Sequence, residues 1–199
     1  MFSFLETICV QNGQALHLDF HQLRVNETFE QYFPAWKAFE VAAEIDKISL
    51  PSTGTHRLRL IYAADPVSLE ILPYVEKPIK TFKLVESGEI DYGSKWADRE
   101  FFQAILAAHP EADEVIFTKD GKIQDCTIAN LAFLKDGIWY TPDDPMHWGT
   151  TRARLIIQEE LEETDIFIED LDQYERICMI NVFRPLSYEH AIALPEAIV

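Results

Sequence analysis

The chain has 199 residues, 48% of them apolar, and a net charge of −17. That size predicts one large domain or two small ones with a real core. Such an acidic chain is unsuited to nucleic acid or to an anionic membrane surface, and an anionic ligand would need a locally basic pocket, which makes single arginines informative.

Cys9, Cys126 and Cys178 form neither a disulfide framework nor a zinc motif, and they fit a reducing cytoplasm. Met1 to Val10 has no basic leader region. No apolar run approaches the roughly 20 residues of a membrane span.

Phe4 to Val10 reads as a strand, Gln11-Asn12-Gly13-Gln14 as its hairpin turn and Ala15 to Leu18 as the return. Asp19-Phe20-His21-Gln22 resembles a capping box, so a helix is expected from Asp19, closed by Pro34. Phe20, Leu23, Tyr32 and Phe33 can share much of one helical face. Arg24 lies on the flank of that face, where its guanidinium can enter a cleft or stay in solvent. His17 and His21 are four apart, but His17 precedes the cap and no third ligand is near, so no metal is expected. Trp36 to Ile45 reads as a second helix.

Arg57 to Ala63 and Val67 to Val75 read as strands. Arg57 and Arg59 share one strand face, where they could meet a substrate carboxylate or solvent. Gly88 and Gly93 bracket a polar stretch, which places a domain boundary within Ser87 to Ser94 and gives domains 1–88 and 89–199. Lys95 follows at the junction with a helix that runs through Phe101, Ile105 and Leu106 to His109-Pro110. A lysine there is normally a surface group, but in a dry pocket its free amine can form a Schiff base.

Glu114 to Tyr140 reads as a β-meander with Asp-Gly turns at Asp120-Gly121 and Asp136-Gly137. Asp125 sits in its middle beside Cys126, Thr127 and Ala129, small residues that leave space for a flat object. Gly149-Thr150-Thr151 opens a helix expected to run from Thr151 to Leu161. Such a turn presents free N–H groups, two hydroxyls and the positive helix end, the features of an anion site. Ile166 to Ile168 and Ile177 to Val182 read as the last strands.

Four blocks fall in one order: His21-Gln22-Leu23-Arg24, Lys95-Trp96-Ala97-Asp98-Arg99, Asp125-Cys126-Thr127-Ile128-Ala129-Asn130 and Gly149-Thr150-Thr151-Arg152. That order resembles the class IV aminotransferases, the pyridoxal phosphate enzymes of fold type IV, over nearly the whole chain. The family includes branched-chain and D-amino-acid aminotransferases and 4-amino-4-deoxychorismate lyases. The resemblance implies an α/β fold of two lobes, a small N-terminal α/β domain and a larger β-rich C-terminal domain, with pyridoxal 5′-phosphate between them. It implies that Lys95 forms the internal aldimine, Arg24, Thr150 and Thr151 hold the phosphate, and Asp125 contacts the pyridine nitrogen. It further implies a homodimer acting on a small amino substrate. Three departures stand out. Asp125 replaces the usual Glu, Leu5 stands where some aminotransferases carry Tyr, and the chain begins at Phe4-Leu5-Glu6-Thr7-Ile8, the family's first block.

Within the family, the run Cys126 to Asn130 looks more like the lyase branch, and that resemblance implies a reaction that forms 4-aminobenzoate and pyruvate. Amino-acid transamination is the alternative, and a non-catalytic relative that binds a phosphorylated ligand is a second one.

Overall fold

The apolar face of β1 (Phe4–Gln11) carries Phe4, Ile8 and Val10, with Glu6 between them. The computed structural model describes every residue except Met1, Phe2, Glu89 and Asp91. Glu89 and Asp91 of the expected boundary therefore lie outside the described residues. The chain forms two compact units, Met1–Glu76 with Ser94–Asp98, and Lys77–Gly93 with Arg99–Val199.

In the first unit β1 turns at Asn12-Gly13, both at positive φ, into β2 (Gln14–Ala15). Helix α1 (Leu18–Tyr32) and the short α2 (Val41–Ile45) follow, then β3 (Thr55–Tyr62) and β4 (Pro66–Pro73). The antiparallel sheet has the order β2-β1-β3-β4, with Phe4 opposite Tyr62 and Glu6 opposite Leu60. Val25 and Phe29 of α1 close over Phe4, Ile8, Leu58 and Leu60. Full burial of such side chains stabilises by about 1.5–3 kcal/mol each.

The segment Ser94–Asp98 belongs to this unit by its bonds. The Leu5 N–H donates to the Lys95 carbonyl at 2.9 Å, and the Ala97 N–H donates to the Ser3 carbonyl at 2.9 Å. Trp96 stacks on Phe4 with ring centroids 4.7 Å apart. These contacts extend the edge of β1 where the short β2 does not reach.

Two expectations shift here. Helix α1 is capped by His17 in the left-handed region, not by Asp19, whose carboxylate stands in the first turn against the positive helix end. The second helix begins at Val41 rather than Trp36. Gln22 explains the difference, since its Oε1 accepts the Val41 N–H at 2.7 Å and its Nε2 donates to the Phe39 carbonyl at 2.9 Å. The side chain thereby holds residues 39–41 in a non-helical approach and caps α2 from outside.

The second unit opens with β5 (Phe82–Glu86), then α3 (Glu100–Ala108), β6 (Glu114–Lys119) and β7 (Lys122–Cys126). Strand β5 is parallel to β6 and β7 is antiparallel to it. Next come β8 (Asn130–Lys135), β9 (Ile138–Pro142), α4 (Thr150–Ile157), β10 (Glu162–Thr164), β11 (Arg176–Ile180), β12 (Ile192–Ala193) and α5 (Leu194–Ala197). Their sheet runs β10-β9-β8-β11-β12. One core joins both sheets, with Ile116 and Ile123 from the first packed with Leu131, Phe133 and Ile177 from the second.

The expected continuous meander is therefore divided between two sheets. Both Asp-Gly turns form as read, with Asp120, Gly121, Asp136 and Gly137 at positive φ. The break falls at residues 127–129. There the Cys126 N–H donates to the Ala129 carbonyl at 3.1 Å, closing a tight corner instead of continuing a ladder. Thr127 Oγ1 donates to the buried Glu114 carboxylate at 2.8 Å, and the Arg99 guanidinium donates to the Thr127 carbonyl. A corner tied from two sides cannot stay pleated.

Ile166–Ile168 does not form the expected strand. The Ile123 N–H bonds the Ile166 carbonyl and the Ile168 N–H bonds the Gly121 carbonyl, but the chain then winds into a 3₁₀ turn over Ile168–Gln173. The last core strand stops at Ile180 rather than Val182, because Asn181 Oδ1 accepts the Phe183 and Arg184 N–H groups and turns the backbone. Among the described residues no helix is long and apolar enough to cross a membrane.

Candidate active site

Glu6 is a carboxylate in the middle of a buried strand face, fully excluded from water. Helix α1 brings two partners to it, because residues three apart lie on one helical face. His21 Nδ1 lies 2.6 Å from Glu6 Oε2, and Arg24 Nε donates to Oε1 at 2.8 Å while a second guanidinium nitrogen donates to Oε2. Burial by itself would push the Glu6 carboxyl up, but the Arg24 charge and the bonds from His21 and Arg24 overcome it and hold the group at about 2.

That assignment settles the tautomer of His21. An ionised Glu6 only accepts, so Nδ1 must carry the proton. Burial lowers the His21 pKa more than Glu6 raises it, with Arg24 and Lys95 adding to the depression, so the ring is neutral near pH 7. Its Nε2 is then a bare acceptor, buried and without a partner among the described residues.

Lys95 is fixed through its carbonyl to Leu5, the neighbour of Glu6, and its charge acts on His21. Arg24 and Lys95 thus gather around the Glu6–His21 pair. Arg57 and Arg59 do not. Strand alternation puts them on the opposite face from Leu58 and Leu60, and hence from Glu6. Arg57 is exposed and Arg59 pairs with Glu70 at 3.2 Å.

In the second unit Asp125 is the next-to-last residue of β7, only 4% exposed. Its Oδ1 accepts from Asn130 Nδ2 at 2.7 Å and its Oδ2 accepts the His147 N–H at 2.9 Å. Asn130 Nδ2 also donates to the His147 carbonyl at 2.7 Å. His147 leads through Trp148 and Gly149 to Thr150 and Thr151, the buried first residues of α4. Among the described residues no side chain caps this helix. Arg152 is 2% exposed, donates to the Pro142 carbonyl at 2.8 Å and to Glu163 at 2.7 Å, and lies under the Trp148 ring. Asp125, Thr150 and Thr151 are therefore linked through one bonded path in this unit.

Sequence reasoning passed over Glu6, His21, Asn130 and His147 as site residues. Glu6 carried a signal, as an acid inside an otherwise apolar strand. His21 was weighed only as a metal ligand paired with His17, which instead stands exposed at the helix cap. Asn130 and His147 carried none, since their roles arise from a contact between segments 17 residues apart.

Each unit by itself holds groups suited to part of a phosphorylated, nitrogen-containing ring. An uncapped helix end with two threonines suits a phosphate. A guanidinium, an amine and a buried orphan acceptor at His21 Nε2 lie together in the first unit. A carboxylate held by two donors is suited to a protonated ring nitrogen.

A family model described as amino-transferase class IV matches residues 97–187. An uncharacterized protein of Haemophilus influenzae is 31% identical over 188 residues, spanning 94% of this chain and all of its own length. The crystal structure of a candidate 4-amino-4-deoxychorismate lyase from Haemophilus somnus 129PT is 36% identical, with a TM-score of 0.86 over 94% of this chain and 98% of its own. That of a candidate amino-acid aminotransferase from Mesorhizobium loti is 21% identical and shares the fold, with a TM-score of 0.79 over the full length of both chains.

Proposed function

Because the chain belongs to the class IV aminotransferase family, whose members are pyridoxal phosphate enzymes, we propose that it is a lyase that converts 4-amino-4-deoxychorismate to 4-aminobenzoate and pyruvate. The observation that carries this reading is the likeness to the Haemophilus somnus protein, which is 36% identical and covered almost end to end. Pyridoxal 5′-phosphate, when bound, supplies an electron sink for a substrate carbanion.

The chain's own groups then have distinct tasks. Lys95 Nζ would supply the amine that holds the cofactor, and as a free amine it would move the proton at the substrate α-carbon. Neutral His21 beside it adds no competing charge to this work. Arg24, Thr150 and Thr151 bind the phosphate, the arginine through a guanidinium already oriented by Glu6. Asp125 holds a proton at the ring nitrogen, its carboxylate oriented by Asn130 and the His147 N–H.

We further propose a homodimer working in the cytoplasm, consistent with Cys9, Cys126 and Cys178, all free and buried. The test is direct. Purified protein with pyridoxal 5′-phosphate is given aminodeoxychorismate, and 4-aminobenzoate and pyruvate are measured. A second series offers amino acids with keto-acid acceptors. Product in the second series alone would replace the lyase with an aminotransferase, and cofactor binding without turnover in either would favour a non-catalytic relative.

A further inference from the structure

Asn130 opens β8 with its side chain inside the protein, 6% exposed. One amide nitrogen serves two acceptors, Asp125 Oδ1 and the His147 carbonyl, each at 2.7 Å. The second Asp125 oxygen takes the His147 N–H at 2.9 Å. Carboxylate, amide and backbone form a closed ring of three hydrogen bonds.

Gly149 lies two residues beyond His147. A Cβ on Gly149 would stand 2.0 Å from Asn130 Oδ1 and 3.2 Å from its Cγ. The Gly149 backbone, at φ −75° and ψ 142°, is one that any residue adopts. Backbone strain therefore does not call for glycine here, whereas the Asn130 amide does.

We propose that Asn130 is a positioning residue that holds the Asp125 carboxylate and the Gly149-Thr150-Thr151 turn in one register, with Gly149 kept bare to seat its amide. This deepens the proposed function and rests on it. In that reading Asp125 and the threonines serve opposite ends of one flat ligand, the ring nitrogen and the phosphate. A carboxylate tied to the segment leading into the turn through one oxygen directly and through the other by way of Asn130 cannot shift unless that segment shifts too. Outer groups of this kind set how well the groups touching a ligand are aimed.

Two measurements test the proposal. The first is a thermal-unfolding cycle on the protein without added cofactor, with Asn130→Ala, Gly149→Ala and both together. Gly149→Ala is expected to lower Tm by roughly 5 °C through overpacking. In the double variant that loss disappears, leaving the Tm of Asn130→Ala alone. Losses that simply add would overturn the proposal, because two independent sites add.

The second is a pyridoxal 5′-phosphate titration followed by absorbance across pH. Asn130→Ala is expected to weaken binding by about tenfold and to shift the pH at which the bound chromophore changes its spectrum. Unchanged affinity and an unchanged spectral profile would reduce Asn130 to a structural role and overturn the proposal. A parent protein that binds no pyridoxal phosphate would instead overturn the proposed function, while the thermal cycle would still decide whether Asn130 and Gly149 are coupled.

Discussion

Glu6 and His21 meet at 2.6 Å with both side chains fully buried. The carboxyl of Glu6 is held at about 2 against an ordinary 4.5. A depressed carboxylate stabilises the fold above its ordinary pKa and loses that contribution as pH falls through the folded one. The shift corresponds to about 3 kcal/mol. Urea unfolding of the parent across this acid range should therefore show stability falling between pH 4.5 and about 2. In Glu6→Gln that slope should flatten, and an identical slope in both proteins would move the acid sensitivity to other carboxylates.

Lys95→Ala should abolish covalent attachment of pyridoxal phosphate while the phosphate groups still retain it loosely. Borohydride reduction of the parent followed by peptide mapping should place the adduct on Lys95. An adduct on a different lysine would remove Lys95 from this role.

Arg24→Ala removes the proposed phosphate donor together with the main counter-charge of Glu6. A charged hydrogen bond contributes about 1.5–3 kcal/mol, so the dissociation constant for pyridoxal phosphate should rise roughly ten- to hundredfold. The acid limb of stability should also weaken. A protein with altered acid stability and unaltered affinity would show Arg24 to be only the partner of Glu6.

Asp125→Ala strips the buried Asn130 amide of one acceptor, which costs about 1–3 kcal/mol of stability. In the proposed reading the carboxylate serves the ring nitrogen and the threonines the phosphate, so turnover should fall far more than cofactor affinity. Asp125→Glu keeps the charge and restores the family's residue, so it should turn over much better than the alanine variant. Its extra methylene enters a packed site and should lower Tm by a few degrees. Equal turnover for alanine, glutamate and parent would make Asp125 structural.

Much of the local architecture was legible in the chain alone. The Asn12-Gly13, Asp120-Gly121 and Asp136-Gly137 turns form as read, because positive φ at both turn positions is a local steric requirement. The strands flanking the two Asp-Gly turns form where the alternation placed them, and the helix opens at Thr150 as read but ends at Ile157, short of the expected Leu161. The order of the four blocks was equally readable, and with it the family.

Tertiary contact decided the rest. Nothing in Trp36 to Ile45 announces that Gln22 will hold its first half out of a helix. Nothing between Cys126 and Asn130 announces that Glu114 and Arg99 will grip Thr127 and divide a single meander between two sheets. Glu6 was visible as an acid in an apolar strand, but its charge state depends on Arg24 and His21, which only folding delivers. Turn chemistry acts between neighbours in sequence and can be read there. Burial and charge coupling act between neighbours in space, and the position of Asn130 over Gly149 exists only once the chain has closed on itself.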